Sequence, residues 1–312
     1  MSPDTRAGNW DACAGYHYDD TTLKGFSHTH LSGTGCIDLG DILFRPTTLK
    51  PDLTAESICR PANFSHKDER ASAGYYSVIL KDEGIKAELT ATTHTGMHRY
   101  TFPSGKPVTI IVDLAHLLDN EYIYEAELER TTSNEIVGMR RTRGWTDNQY
   151  VYFAAQFSEP FQTVEFVQDK KIVSAETKQV GTDLQAILTF ADKDGEPIIA
   201  KVGLSLVSVD NARKNLAEEV KDFNFDAVCA AARNDWEQAL SSITVEGGGT
   251  DDLKNFYTAI YHAMVVPNVV SDVNGEYRRH NMQIGQLPKG KMQYSTCLLY
   301  TSDAADDLLC VD

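Results

Sequence analysis

The sequence predicts a mainly β protein: an antiparallel β-sandwich first, then linker helices, then the opening of a helical region. Three observations carry this. Short runs with a period of two recur through residues 1–208, the spacing that sends alternate side chains to opposite faces of a strand. Turn residues separate those runs with no long helical stretch between them, which argues against a parallel βαβ sheet. After residue 208 the apolar spacing changes to three and four, the spacing of one helix face.

In order along the chain, strands are read at Tyr75–Leu80, 88–93, 108–112 and 150–157. Asp82-Glu83-Gly84, Pro103-Ser104-Gly105-Lys106-Pro107 and Asp192-Lys193-Asp194-Gly195 are the turns. Val202, Leu204 and Leu206 alternate with Lys201, Gly203 and Ser205, the pattern of a half-buried strand. Residues 211–222 are polar with Leu216 and Val220 four apart, a short amphipathic helix. Phe225, Val228, Ala232, Trp236 and Leu240 then form an apolar stripe on a second helix. Gly247-Gly248-Gly249 breaks the chain. Asp251 or Asp252 caps a third helix over 253–266, with acidic groups near its positive end, and Pro267 stops it. The divisions expected are a sandwich over 1–208, a helical linker over 209–248, a helical region over 249–296 and a non-native tail over 297–312.

Composition narrows function. Apolar residues at 42% and charged residues at 24% are ordinary globular values and exclude a disordered chain or a disulfide miniprotein. The 45 acidic against 29 basic residues give a net charge of -16, which repels phosphate backbones, so no nucleic-acid partner is expected. No apolar run is long enough for a membrane span, and no signal peptide follows Met1. The six cysteines show neither CxxC nor metal spacing and are read as thiols.

Three segments carry chemistry. In Gly25-Phe26-Ser27-His28-Thr29-His30-Leu31-Ser32-Gly33-Thr34-Gly35-Cys36, two histidines share a face if the stretch is a strand. They are a metal pair completed by His94 or His98, or ligand contacts, or hydrogen-bonded residues stiffening a loop. Gly33 and Gly35 allow close backbone approach to a ligand. In Trp10-Asp11-Ala12-Cys13-Ala14-Gly15-Tyr16-His17-Tyr18-Asp19-Asp20, aromatic rings beside carboxylates suit a sugar, whose C–H face stacks while its hydroxyls donate to carboxylates. An aromatic core with a turn at Asp19-Asp20 is the plainer reading. Asp272, Asn274 and Glu276 alternate like calcium ligands, but they lack the EF-hand pattern and a distal Glu, so a loop after a helix is the better reading.

Together these segments resemble glycoside hydrolase family 92, the calcium-dependent exo-acting α-mannosidases. Ser2-Pro3-Asp4-Thr5, Gly15-Tyr16-His17-Tyr18, Gly25–Cys36 and Asp38-Leu39-Gly40-Asp41-Ile42 are similar to its N-terminal signature. Glu88-Leu89-Thr90-Ala91-Thr92 with His98-Arg99-Tyr100-Thr101-Phe102-Pro103 resembles its next block. Phe256-Tyr257-Thr258-Ala259-Ile260-Tyr261-His262, Pro267-Asn268, Ser271-Asp272-Val273-Asn274-Gly275 and Gln293-Tyr294-Ser295-Thr296 resemble the start of its helical domain. The likeness runs in order from residue 2 to 296.

The resemblance implies a β-sandwich, a helical linker and the first part of an (α/α)6 barrel, with a terminal mannose bound between sandwich and barrel. It places Trp10, Asp11, His28, His30 and Gly33 at the substrate-binding face. It implies mannose-containing glycans as partners, calcium as cofactor and a periplasmic or extracellular location. It also implies inversion at the anomeric carbon, by an acid and a base roughly 6.5–9.5 Å apart. In that family these two groups and the calcium ligands lie past residue 296, so no catalytic residue is expected here and the fragment alone is expected to be inactive. Ala12 stands where many members carry Trp, which bears on linkage preference. Members also begin earlier, so Met1 is read as an internal methionine, and residues 297–312 are read as a translated artefact ending a truncated gene model. Two other functions are carried: a non-catalytic carbohydrate-binding sandwich, and a cupin-like metal-binding domain built on His28, His30, His94 and His98.

Overall fold

A computed structural model describes residues 1–5, 13–31, 37–49, 60–118, 122–173 and 177–295. The first strands are β1 Ser2–Asp4, β2 Thr22–Leu23, β3 Gly25–Ser27, β4 Leu43–Thr47, β5 Ala62–Asn63 and β6 Arg70–Ser72. Next come β7 Tyr75–Leu80, β8 Ile85–Ala91, β9 Thr95–Thr101, β10 Val108–Asp113, β11 Tyr122–Arg130 and β12 Glu135–Arg143. The last of the sandwich are β13 Gln149–Phe157, β14 Thr163–Gln168, β15 Lys171–Val173, β16 Lys178–Gly181, β17 Leu184–Phe190 and β18 Ile198–Ser205. Among the described residues they make a seven-stranded sheet, β1-β3-β4-β10-β17-β14-β15, and a nine-stranded sheet, β16-β11-β12-β13-β18-β9-β8-β7-β6. Their pairings are antiparallel throughout.

The core lies between the sheets and follows from alternation. Val108, Ile110 and Val112 of β10 face it with Leu184, Ala186, Leu188 and Phe190 of β17, and Ile198, Ala200 and Val202 of β18 come from the other sheet. Phe44 stacks on Phe157 across the gap, rings 6.2 Å apart. Each such aromatic contributes roughly 1.5–3 kcal/mol by leaving water.

Three helices follow: α1 Val209–Glu219, α2 Phe225–Leu240 and α3 Thr250–Met264. Ser208 caps α1, its side chain accepting from Asn211 N–H. This helix covers the outer face of β18, and Asn215 donates to the Leu204 carbonyl at 2.7 Å. The half-buried reading of 201–206 therefore changes: Lys201 and Ser205 are buried too, because a helix lies where solvent was expected. The cap of α3 also differs. Gly249 is its N-cap, and Asp252 reaches back to accept from Gly249 N–H at 2.9 Å. Along α2 only Phe225 and Ala232 of the expected stripe are buried, while Trp236 meets Tyr261 of α3 at 4.7 Å. After α3 the chain adds β19 Asn268–Val269, β20 Glu276–Arg278, β21 Ile284–Gln286 and β22 Tyr294–Ser295. The tail over 297–312 lies outside the described residues.

The registers set one functional end. The last residue of β10 pairs with the first of β4 and with the second of β17, and β12 and β13 turn at the same end. The turn between β8 and β9 and the end of β18 meet there too, since Thr95 pairs with Gly203 and Ser205 with Tyr152.

Candidate functional site

Two chain segments singled out from sequence have their necks at this end, tied together by one carboxylate. Asp4, at the end of β1 and just before residues 6–12, is fully buried. It accepts from His30 Nε2 at 2.7 Å on one oxygen and from His116 Nε2 at 2.9 Å on the other. Burial alone would raise its pKa, but the charge and hydrogen bonds of the two imidazoles hold the carboxyl well below the usual carboxylate range. His30 lies within the histidine segment, and the Ser27 hydroxyl lies 2.8 Å from its Nε2. The first neck is closed by Thr5 N–H donating to Gly15 O at 2.7 Å. Gly15 is needed there: its φ is +83°, and a Cβ would stand 2.3 Å from Asp4 Oδ1. The second neck is closed by His28 N–H to Asp41 O and Gly40 N–H to Thr29 O, both 2.9 Å.

A third element joins them. Asp41 accepts from Arg140 Nε at 2.7 Å, Thr29 Oγ1 at 2.6 Å and Gln149 Nε2 at 3.0 Å. Arg140, 1% exposed, also donates to the Leu114 and His116 carbonyls. Asp38 accepts from Leu39 N–H at 2.9 Å and Trp145 N–H at 3.1 Å, and burial pushes its carboxyl up. The β12–β13 hairpin is thus fastened to the neck of the histidine segment at both strands and at its tip.

His28 and His98 belong to a different system. His28 Nδ1 lies 2.6 Å from the Ile42 carbonyl, which only accepts, so Nδ1 carries the proton. His98 Nε2 lies 3.0 Å from His28 Nε2, and Tyr100 O–H lies 2.7 Å from His98 Nδ1. One arrangement satisfies all of them with neutral rings: Tyr100 donates to His98, His98 to His28 and His28 to Ile42. Burial pushes His28 down to about 3 and His98 well below its ordinary value. Every ring nitrogen in this relay is occupied, which overturns the cupin-like alternative. His94 stands apart, Nδ1 on Glu219 at 2.5 Å and Nε2 on the Ser271 carbonyl at 2.8 Å. Among the described residues no group of three or more His, Cys, Asp or Glu side chains could hold a metal ion, so calcium does not fit them.

Of the residues expected at the substrate face, His30 is found at the joined necks and His28 beneath them in the core. Trp10, Asp11 and Gly33 lie outside the described residues. Asp272 is the plain loop expected: it accepts from Ser205 Oγ, Asn211 Nδ2 and Asn215 Nδ2 at 2.7–2.8 Å, binding the stretch after α3 to α1 and β18. Sequence reading assigned no role to Asp4 or Asp41, which stand only within the resembling runs, and did not single out His116, Arg140 or Trp145. The Asp38-Leu39-Gly40-Asp41 run directly after the histidines was the signal available for Asp41, and Gly144-Trp145 between two strand patterns was the one for the tip. Beside the necks, a cleft of about 550 Å³ opens on the outer face of the seven-stranded sheet, lined by Lys24, Arg45, Asp113, His116, Tyr122 and Gln185 among others.

The chain is similar to a family GH92 α-mannosidase from Bacteroides thetaiotaomicron, solved also in complex with mannoimidazole. The two are 35% identical, with 94% of this chain and 40% of that chain covered and a TM-score of 0.88. It is similar to the GH92 family glycosyl hydrolase ccman5 at 29% identity, TM-score 0.83, over 94% of this chain and 40% of that chain. A curated relative, an uncharacterized secreted glycosidase of Arthroderma benhamiae, is 26% identical over 293 residues, 84% of this chain and 37% of the relative. The chain thus spans well under half the length of the relatives it matches. The glycosyl hydrolase family 92 catalytic domain model matches residues 211–301. The glycosyl hydrolase family 92 N-terminal domain model matches residues 1–205, more than half of the chain, and the chain belongs to glycosyl hydrolase family 92.

Proposed function

We propose that this chain is the N-terminal part of an exo-acting, inverting α-mannosidase, and that the joined necks support the sandwich side of the pocket for a terminal mannose. The observation that carries the reading is the 35% identity and TM-score of 0.88 to a GH92 α-mannosidase over 94% of this chain. The geometry is compatible. The end bearing the necks is also where the stretch after α3 returns, through Ser205–Asp272 and His94–Ser271.

In this reading Trp10, Asp11, His30 and Gly33 contact sugar, and His28 positions the neck from below. Asp4 holds His30 and His116 in one orientation, which lowers the ordering cost when sugar binds. In this reading the residues named here bind and orient the sugar and transfer no proton in the reaction. A periplasmic or extracellular location follows the secreted relative.

The test is twofold. Isothermal calorimetry with methyl α-mannoside should give a saturable heat that methyl α-glucoside does not. The same chain with calcium should release no mannose from an α-mannoside. Mannose release by the pure chain would overturn the division of labour, and equal heats from both glycosides would overturn the mannose assignment.

A further inference from the structure

Glu69 gathers three donors that the joined necks do not use. It follows a single turn of 3-10 helix, His66–Asp68, which Ser65 caps. Tyr16 O–H donates to its Oε2 at 3.1 Å and Tyr76 O–H to its Oε1 at 2.6 Å. His66 Nδ1 lies 2.6 Å from the same Oε2. Burial and the neighbouring carboxylate push both phenols up, so they keep their protons and stay donors through neutral pH. The imidazole is the side chain of this cluster whose ordinary pKa lies near neutrality. Its ring also lies flat on Tyr18, centroids 4.1 Å apart and planes 7° from parallel, with Phe64 edge-on at 5.5 Å. It hydrogen-bonds the Tyr18 backbone too, and that bond favours the proton, as a bond to an acceptor does. A protonated ring suits all of these contacts: it has two N–H donors, it pairs with the carboxylate, and it sets a cation on a tyrosine face. A neutral ring carries one N–H for two acceptors.

Tyr16 and Tyr18 belong to the stretch that leaves the first neck. His17 N–H donates back to Thr5 Oγ1 at 2.9 Å, and Asp20 N–H donates to His17 O at 3.1 Å. We propose that His66 is a proton-operated latch on this stretch, holding residues 16–20 against the turn before β6 when protonated and loosening them when neutral. The charged and titratable groups around the ring are Glu69 on its own turn, Asp19, Tyr16 and Tyr18 on the fastened stretch, and Tyr76 of β7. The bond to Glu69 dominates and burial opposes it, and the proton affinity of His66 is raised above the ordinary 6.5. The latch is therefore fully closed below 6.5 and released as pH rises through the raised value. His17 is the neighbour that would act with the opposite sign. Its Nδ1 accepts from Asp19 N–H at 3.3 Å, so a proton there removes an acceptor and loosens the same turn at low pH. The latch makes no use of the mannoside reading, and either can fail while the other stands.

The test is hydrogen exchange of the full chain, read by mass spectrometry and corrected for the intrinsic pH dependence of exchange. Peptides covering residues 16–20 should exchange several-fold more slowly below pH 6.5 than well above it, and the imidazole nitrogen resonances of His66 should titrate above 6.5. His66→Gln, whose amide donates to Glu69 at every pH, should abolish that dependence and leave peptides of β12 and β13 unchanged. Tyr18→Leu should shrink the dependence, and because Tyr18 is 66% exposed its removal leaves the core intact. Exchange that is faster at low pH would give the turn to His17 and overturn the latch. Exchange that ignores pH, or a dependence that survives in His66→Gln, would overturn it as well.

Discussion

His28 and His94 are the same residue type with proton affinities shifted in opposite directions, and their partners decide which. His94 faces a carboxylate and a carbonyl, both acceptors, so both its nitrogens must donate, and its proton affinity is raised despite burial. His28 faces one acceptor and one imidazole in a dry core, so it stays neutral. The neutral relay has a measurable sign. Above the ordinary value of 6.5 neither folded nor unfolded His28 and His98 bind a proton, and the relay's contribution is fully present. Below it the unfolded chain takes protons that the folded rings refuse, so stability falls as pH drops toward about 3. The slope is up to about 1.4 kcal/mol per pH unit for each ring. Urea denaturation from pH 7.5 downward should show this fall, and His98→Gln should make it shallower. A slope that does not change in the variant would show that the relay does not titrate in this way.

At the scale of elements, α3 is the least satisfied. None of its residues is buried, and Leu253, Phe256 and Ile260 are half-exposed along one face. An apolar stripe of this kind favours association. The expressed chain is therefore expected to self-associate in sedimentation velocity, and Phe256→Ser with Ile260→Ser should raise the monomer fraction several-fold. Equal monomer fractions in both proteins would show that the stripe is not the adhesive surface. The periodicity of α3 was plain in the sequence, but its cap was not. Two adjacent aspartates stood at the right place, and only the backbone path decided that Gly249 would be the cap and Asp252 the residue reaching back. The strand 198–205 shows the same limit. Its period of two was legible, but its outer face became core because α1 folds onto it.

For the whole molecule, His94 and Glu219 join the β8–β9 turn, the end of α1 and Ser271 after α3. Burial would raise Glu219, but hydrogen bonds from His94 and Thr92 lower it overall. Burial would lower His94, but the bond to Glu219 raises it overall. The Glu219 contribution is full above its ordinary 4.5 and lost as pH falls through the lowered value. The His94 contribution is full below its ordinary 6.5 and lost as pH rises through the raised value. The difference in unfolding free energy between wild type and His94→Phe should therefore be greatest between pH 4.5 and 6.5 and smaller on either side. A pH-independent difference would mean that the pair holds these parts by shape alone.

Local patterning was enough to show a β-rich first part, several of its strands and the three helices after it, because a period of two or of 3.6 is written into neighbouring residues. The two aromatic and histidine segments stood out in the sequence for the same reason: their residue types stand side by side. The joining of Asp4 to His30 and His116, of Asp41 to Arg140, and of Asp38 to Trp145 was decided only by tertiary structure. Those partners are 26 to 112 residues apart, and no local rule chooses among the chain's 45 acidic side chains. Sheet register brings these few to one end, and burial there turns ordinary carboxylates into the fastenings of a site.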